Sequence, residues 1–165
     1  MNKMFLVFIV LVAALTRIAP HPPNFTPILS IALFSGLCFK NKFSFLVPLL
    51  IMIFSDFFIG NFDMAVWVYP CILIIFYLGK YFKTSFNFKN VIISSFIASI
   101  LFFLISNFGV WIVGYPKNIS GFVNCYFMAI PFYKNTLLST MMYSSCLYFM
   151  YEILLRKYLA TYQTK

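Results

Sequence analysis

VIISSFIASILFFLISNFGVWIV, residues 91–113, runs for 23 residues without a charged side chain. As one helix it is long enough to cross the roughly 30 Å hydrocarbon core of a bilayer. The rest of the chain reads the same way. Apolar runs of roughly 15–23 residues recur between short charged or Pro/Gly-rich breaks. Of 165 residues, 63% are hydrophobic, 22% aromatic and 9% charged. No soluble fold of this size buries that much apolar surface. Asp56, Asp63 and Glu152 are the only carboxylate side chains. The expectation is an all-α membrane protein, one integral membrane domain over 1–165 built as a bundle of six transmembrane helices.

Those helices are expected at about 3–16, 27–39, 43–60, 64–82, 91–113 and 136–155. The first, with Lys3 and a short apolar core, also fits a secretory signal peptide. A retained helix is the preferred reading, because a polar loop and further spans follow at once. The second covers only about 20 Å at 1.5 Å per residue. It therefore starts below the membrane surface, or the residues before Pro27 dip into the membrane. Residues 122–135, interrupted by Pro131, read as a loop or a short helix lying at the surface.

The charges set the orientation. Of twelve basic residues, Lys3, Lys40, Lys42, Lys80, Lys83, Lys89, Arg156, Lys157 and Lys165 fall on the side of the termini. Arg17, Lys117 and Lys134 fall on the other. By the positive-inside rule both termini are cytoplasmic and the chain is a multi-pass protein of the cell's inner (plasma) membrane. The net charge of +9 thus reflects topology and the lipid bilayer. No basic amphipathic patch points to nucleic acid.

Residues 17–27, RIAPHPPNFTP, hold four of the eight prolines and the only histidine. Proline fixes φ, removes a backbone donor and restrains the residue before it, so this is a stiff, extended connection. It falls on the outer side, as do the other motifs of character, and that asymmetry points to a site opening outward. Asn24 and Thr26 sit beside the open N–H groups of a helix start. Asp56 lies about one turn inside the outer end of its helix, where a carboxylate needs a partner. Arg17 and His21 are the candidates. Asn107 and Trp111, spaced i and i+4, share a face and suit a small planar or polar ligand. Trp67 stands at the same boundary, with Tyr115 and Phe132 near the mouth of any cavity.

Each residue also has a plainer reading. Either tryptophan can be an interfacial anchor, Asn107 an interhelical hydrogen bond, and Asp56 a structural ion pair. Cys38, Cys71, Cys125 and Cys146 are scattered, without zinc spacing, and read as small packing residues; a Cys71–Cys125 disulfide has no support. No metal, cofactor or catalytic constellation is expected, and no Gly-rich phosphate loop occurs. The chain is therefore not read as an enzyme.

The ordered motifs R..PHPPNFTPI...ALFSG, VPL..M..SD...G, WVY, SNFGVW and YPK..SGF..CY..AIPF..NT, over about 17–143, resemble a bacterial family of unknown function catalogued among transport proteins. In length and helix count the chain is similar to the substrate-binding S components of energy-coupling-factor vitamin transporters. That likeness implies capture of a vitamin-like small-molecule solute at the outer face, with a transmembrane scaffold and ATPase subunits supplied in trans. S components dock the scaffold through a small-xxx-small motif on the first helix. Here that spacing occurs at Ala32–Gly36 instead. The leading expectation is a substrate-binding component of a transporter. The alternative is a structural scaffold subunit without a ligand.

Overall fold

The computed structural model describes residues 15–38, 42–60 and 62–163, with the side chains of 42, 85 and 154–163 outside the description. The helix expected over 3–16 therefore lies largely outside it. Among the described residues the fold is all-helical. The α-helices are α1 (Ile28–Cys38), α2 (Leu46–Ile59), α3 (Ala65–Phe82), α4 (Phe88–Gly114) and α5 (Ile119–Gln163). Short 3-10 turns at Lys42–Phe45 and Lys83–Ser85 lead into α2 and out of α3.

The turns between helices follow from local chemistry. Gly60 ends α2 in the left-handed region (φ 73°) and donates its N–H to the Asp56 carbonyl at 2.8 Å, the usual role of glycine after a helix. Asn87 caps α4 by accepting from the Asn90 N–H at 2.9 Å. Lys117 donates to the carbonyls of Trp111 (2.8 Å) and Tyr115 (2.9 Å) at the end of α4, where a cation suits the helix dipole. Asn118 then accepts from the Gly121 N–H at 2.7 Å and starts α5.

The shortest helix is the centre of the bundle. α1 packs against each of α2, α3, α4 and α5, and Ala32 and Leu33 are fully buried. Its close partner is α3. A Cβ added to Gly36 would overlap the Phe76 carbonyl oxygen, and one on Gly79 the Leu33 carbonyl oxygen. The Ala32–Gly36 spacing is thus spent inside the molecule, holding α1 to α3 at backbone contact, and is not free to dock a scaffold. Ser30 donates to the Thr140 carbonyl (2.9 Å) and accepts from Ser144 (3.0 Å), tying α1 to α5.

Among the described residues two helices, α3 and α4, are long and apolar enough to cross a membrane. The expectation for 122–135 is overturned. These residues belong to α5, one 45-residue helix that continues through Pro131. Proline removes one intrahelical bond, but packing against α4 holds the helix together on both sides of it. Tyr126 donates to the Leu104 carbonyl at 2.7 Å, and the Phe103 and Tyr133 rings lie 4.9 Å apart. Lys134, assigned above to an outer loop, stands within this helix.

Residues 20–27 descend along α5. Asn135 donates to the Pro23 carbonyl (3.1 Å), Ser139 to that of Asn24 (3.4 Å), and Phe25 meets the Tyr143 ring at 6.1 Å. Asn135 is 16 residues and Tyr143 24 residues beyond the start of α5, so the loop runs from about 24 to about 36 Å along that helix. α1 therefore starts well along α5 rather than level with its first residues.

Candidate functional site

The descending loop leaves a space between the helix ends. An open cavity of about 530 Å³ is lined by residues from 17–29 and from α2, α3, α4 and α5. Arg17, His21, Asp56, Asn107 and Tyr115 contribute polar lining, and Met52, Ile59, Met64 and Met128 apolar lining. Of the ten residues nominated from sequence, Arg17, His21, Asn24, Thr26, Asp56, Asn107, Tyr115 and Phe132 line this one space.

Asp56 anchors one wall. Its side chain is 4% exposed, and its Oδ1 accepts from Arg17 Nη1 at 2.9 Å. Tyr69 donates its hydroxyl to Oδ2 at 2.9 Å. The same Arg17 nitrogen also donates to the Ser55 hydroxyl, which itself donates to the Ile51 carbonyl at 2.8 Å. The carboxylate thus has the partner that its depth demands. His21 does not reach it. Its Nε2 lies 3.1 Å from the Arg17 carbonyl and its Nδ1 2.8 Å from the Pro22 carbonyl, so the ring serves the loop's own backbone.

Asn24 carries the one positive φ among the described non-glycine residues, 62°, which asparagine tolerates better than most. It lets the chain turn from the descending loop into α1. The N–H groups of Ile28, Leu29 and Ser30 open this helix without intrahelical acceptors, and Ile28 and Leu29 face the cavity. Thr26 forms no hydrogen bond with the described residues. Asn107 donates from Nδ2 to the Phe103 carbonyl at 2.7 Å. Its Oδ1 accepts from no described residue.

The two tryptophans lie elsewhere, and that part of the expectation is corrected. Trp67 sits on Gly109, where an added Cβ would overlap its side chain, and meets the Phe108 ring at 5.3 Å. Trp111 donates from Nε1 to the Pro116 carbonyl at 3.0 Å and stacks against Phe108 and Phe122. Both serve the packing of the α3–α4 and α4–α5 ends. Asn107 and Trp111 do share a turn of α4, but the cavity takes the first and the corner takes the second.

Sequence reasoning missed Tyr69 as the second partner of Asp56, although a signal existed. The two lie nearly equidistant from the Gly60–Met64 turn, so an antiparallel helical hairpin pairs them. Ser106, Phe102 and Met52 carry no such signal. Cys71 and Cys125 are both buried free thiols. Among the described residues no cluster of His, Cys, Asp and Glu is arranged to hold a metal.

Comparison with curated proteins finds no match, and comparison with solved structures finds none. Neither gives the likeness to vitamin-transporter S components any support. The model of a family of unknown function, DUF6580, matches residues 1–162, and the chain belongs to that family.

Proposed function

We propose that this chain is a multi-pass membrane protein that captures a small, vitamin-like solute from the outer face in the cavity below residues 17–27. The observation that carries the reading is the cavity. About 530 Å³ of space lies within the range of about 300–1,000 Å³ typical of small-molecule sites, and it sits where a stiff loop and a deep helix start converge, as around transporter sites. Six spans with cytoplasmic termini in the inner membrane remain the proposed topology. α1 and α2 would cross as short segments aided by the descending loop. Arg17 and Lys117 would mark the outer side, and Lys134 would lie along α5. Energy for transport would come from a scaffold and ATPase subunits in trans, docking through a surface other than Ala32–Gly36.

The full chain, purified from native membranes without added ligand, is expected to carry one small molecule per protein by native mass spectrometry. Asn107→Ala should lose it while remaining folded. A protein that carries nothing, and whose melting temperature no member of a broad vitamin panel raises, would exclude this reading. The scaffold alternative draws on one observation. The Arg17–Asp56–Tyr69 network is complete without a ligand, as a purely structural lock would be.

A further inference from the structure

We propose that the solute is a planar molecule without net charge, presenting an amide-like N–H edge to Asn107 and Asp56; this rests on the binding reading above. The charge inventory of the cavity is short. Among its lining residues Arg17 and Asp56 bear full charges, and they face each other at 2.9 Å. His21 is turned to the loop carbonyls with both ring nitrogens. Arg17 and Asp56 thus form a closed pair without net charge, and His21 has no ring nitrogen left for a solute. A charged solute would enter without a counter-charge, and an uncompensated charge in a desolvated site is strongly disfavoured.

Two of the lining side chains keep polar valences open to a solute. Asn107, a lining residue, gives one of its two Nδ2 hydrogens to the Phe103 carbonyl and keeps the other, with Oδ1, uncommitted. Each carboxylate oxygen of Asp56 accepts one bond from the protein and retains a further lone pair. A neutral amide edge, which donates through N–H and accepts through C=O, matches both. Met52, Met128 and Phe102 supply the apolar walls, and thioethers beside an aromatic ring adapt to flat, polarizable rings.

Three probes of one shape separate the alternatives: an indole carboxamide, the matching indole carboxylate and the matching aminomethylindole. Each is titrated against the full chain in detergent, with half-saturation read from the rise in unfolding temperature, because a ligand selective for the folded state stabilises it by mass action. The carboxamide is expected to half-saturate at a concentration about tenfold or more below either charged analogue. Asp56→Asn, which leaves Arg17 unpaired, should move the preference to the carboxylate. A wild-type preference for the carboxylate or the amine overturns the neutral-solute inference and leaves the binding reading standing. Folded Asp56→Asn protein that still prefers the carboxamide overturns the charge argument. Failure of all three probes to stabilise the wild type overturns the inference, while the binding reading falls only if the protein also purifies without a bound molecule and answers to no member of the vitamin panel.

Discussion

Arg17 and Asp56 join parts of the chain 39 residues apart, and neither is well solvated. Removing one partner of such a pair leaves the other charge stranded, at a cost of about 3–5 kcal/mol, whereas replacing both by apolar groups of similar volume is far better tolerated. Arg17→Met and Asp56→Leu are each expected to lower stability by about 3 kcal/mol. The double variant should recover most of that loss. Thermal unfolding of the three proteins in one detergent measures it, and strictly additive losses would show that the pair is not coupled. Tyr69→Phe should cost less, about 1.5–3 kcal/mol, the range for a hydrogen bond to a charged acceptor. The pairing itself could be anticipated, since a lone carboxylate inside a helix end needed a cation from the same side.

Between helices, the decisive contact is α1 against α3. Gly36 and Gly79 meet backbone atoms that cannot swing aside, so a methyl group there must separate the two helices. Gly36→Ala is expected to destabilise by about 2–4 kcal/mol, in the range of severe overpacking. Gly109→Ala meets only the Trp67 side chain and should cost less, while shifting tryptophan fluorescence. Equal losses at the two positions, by thermal unfolding, would contradict this ordering. The helix boundaries around Gly60 and before Ala65 were readable from turn residues. The fusion of 119–163 into one helix was not. A proline marks a local cost, and only the ring and hydroxyl contacts from α4 reveal that the cost is met by packing.

For the molecule as a whole, the proposed topology makes Lys83 and Lys117 opposite landmarks, one at each end of α4. Lys83→Cys should be shielded from a membrane-impermeant maleimide in intact cells, and Lys117→Cys should react. Labelling of both from outside would sink the six-span arrangement. Read alone, the chain dictated the all-helical character and most helix positions, because these depend on composition, periodicity and local turn chemistry. It also picked out most of the cavity's polar lining, since polar groups among apolar runs are few and each needs a partner. Which of them share one space depended on packing. Two tryptophans with the same local credentials as Asn107 turned away from the cavity, because Gly109 offered a seat to one and the Pro116 carbonyl a bond to the other. The cavity exists because α1 starts deep and the loop must descend along α5 to reach it. That geometry is a sum of long-range contacts, and no local stretch of residues encodes it.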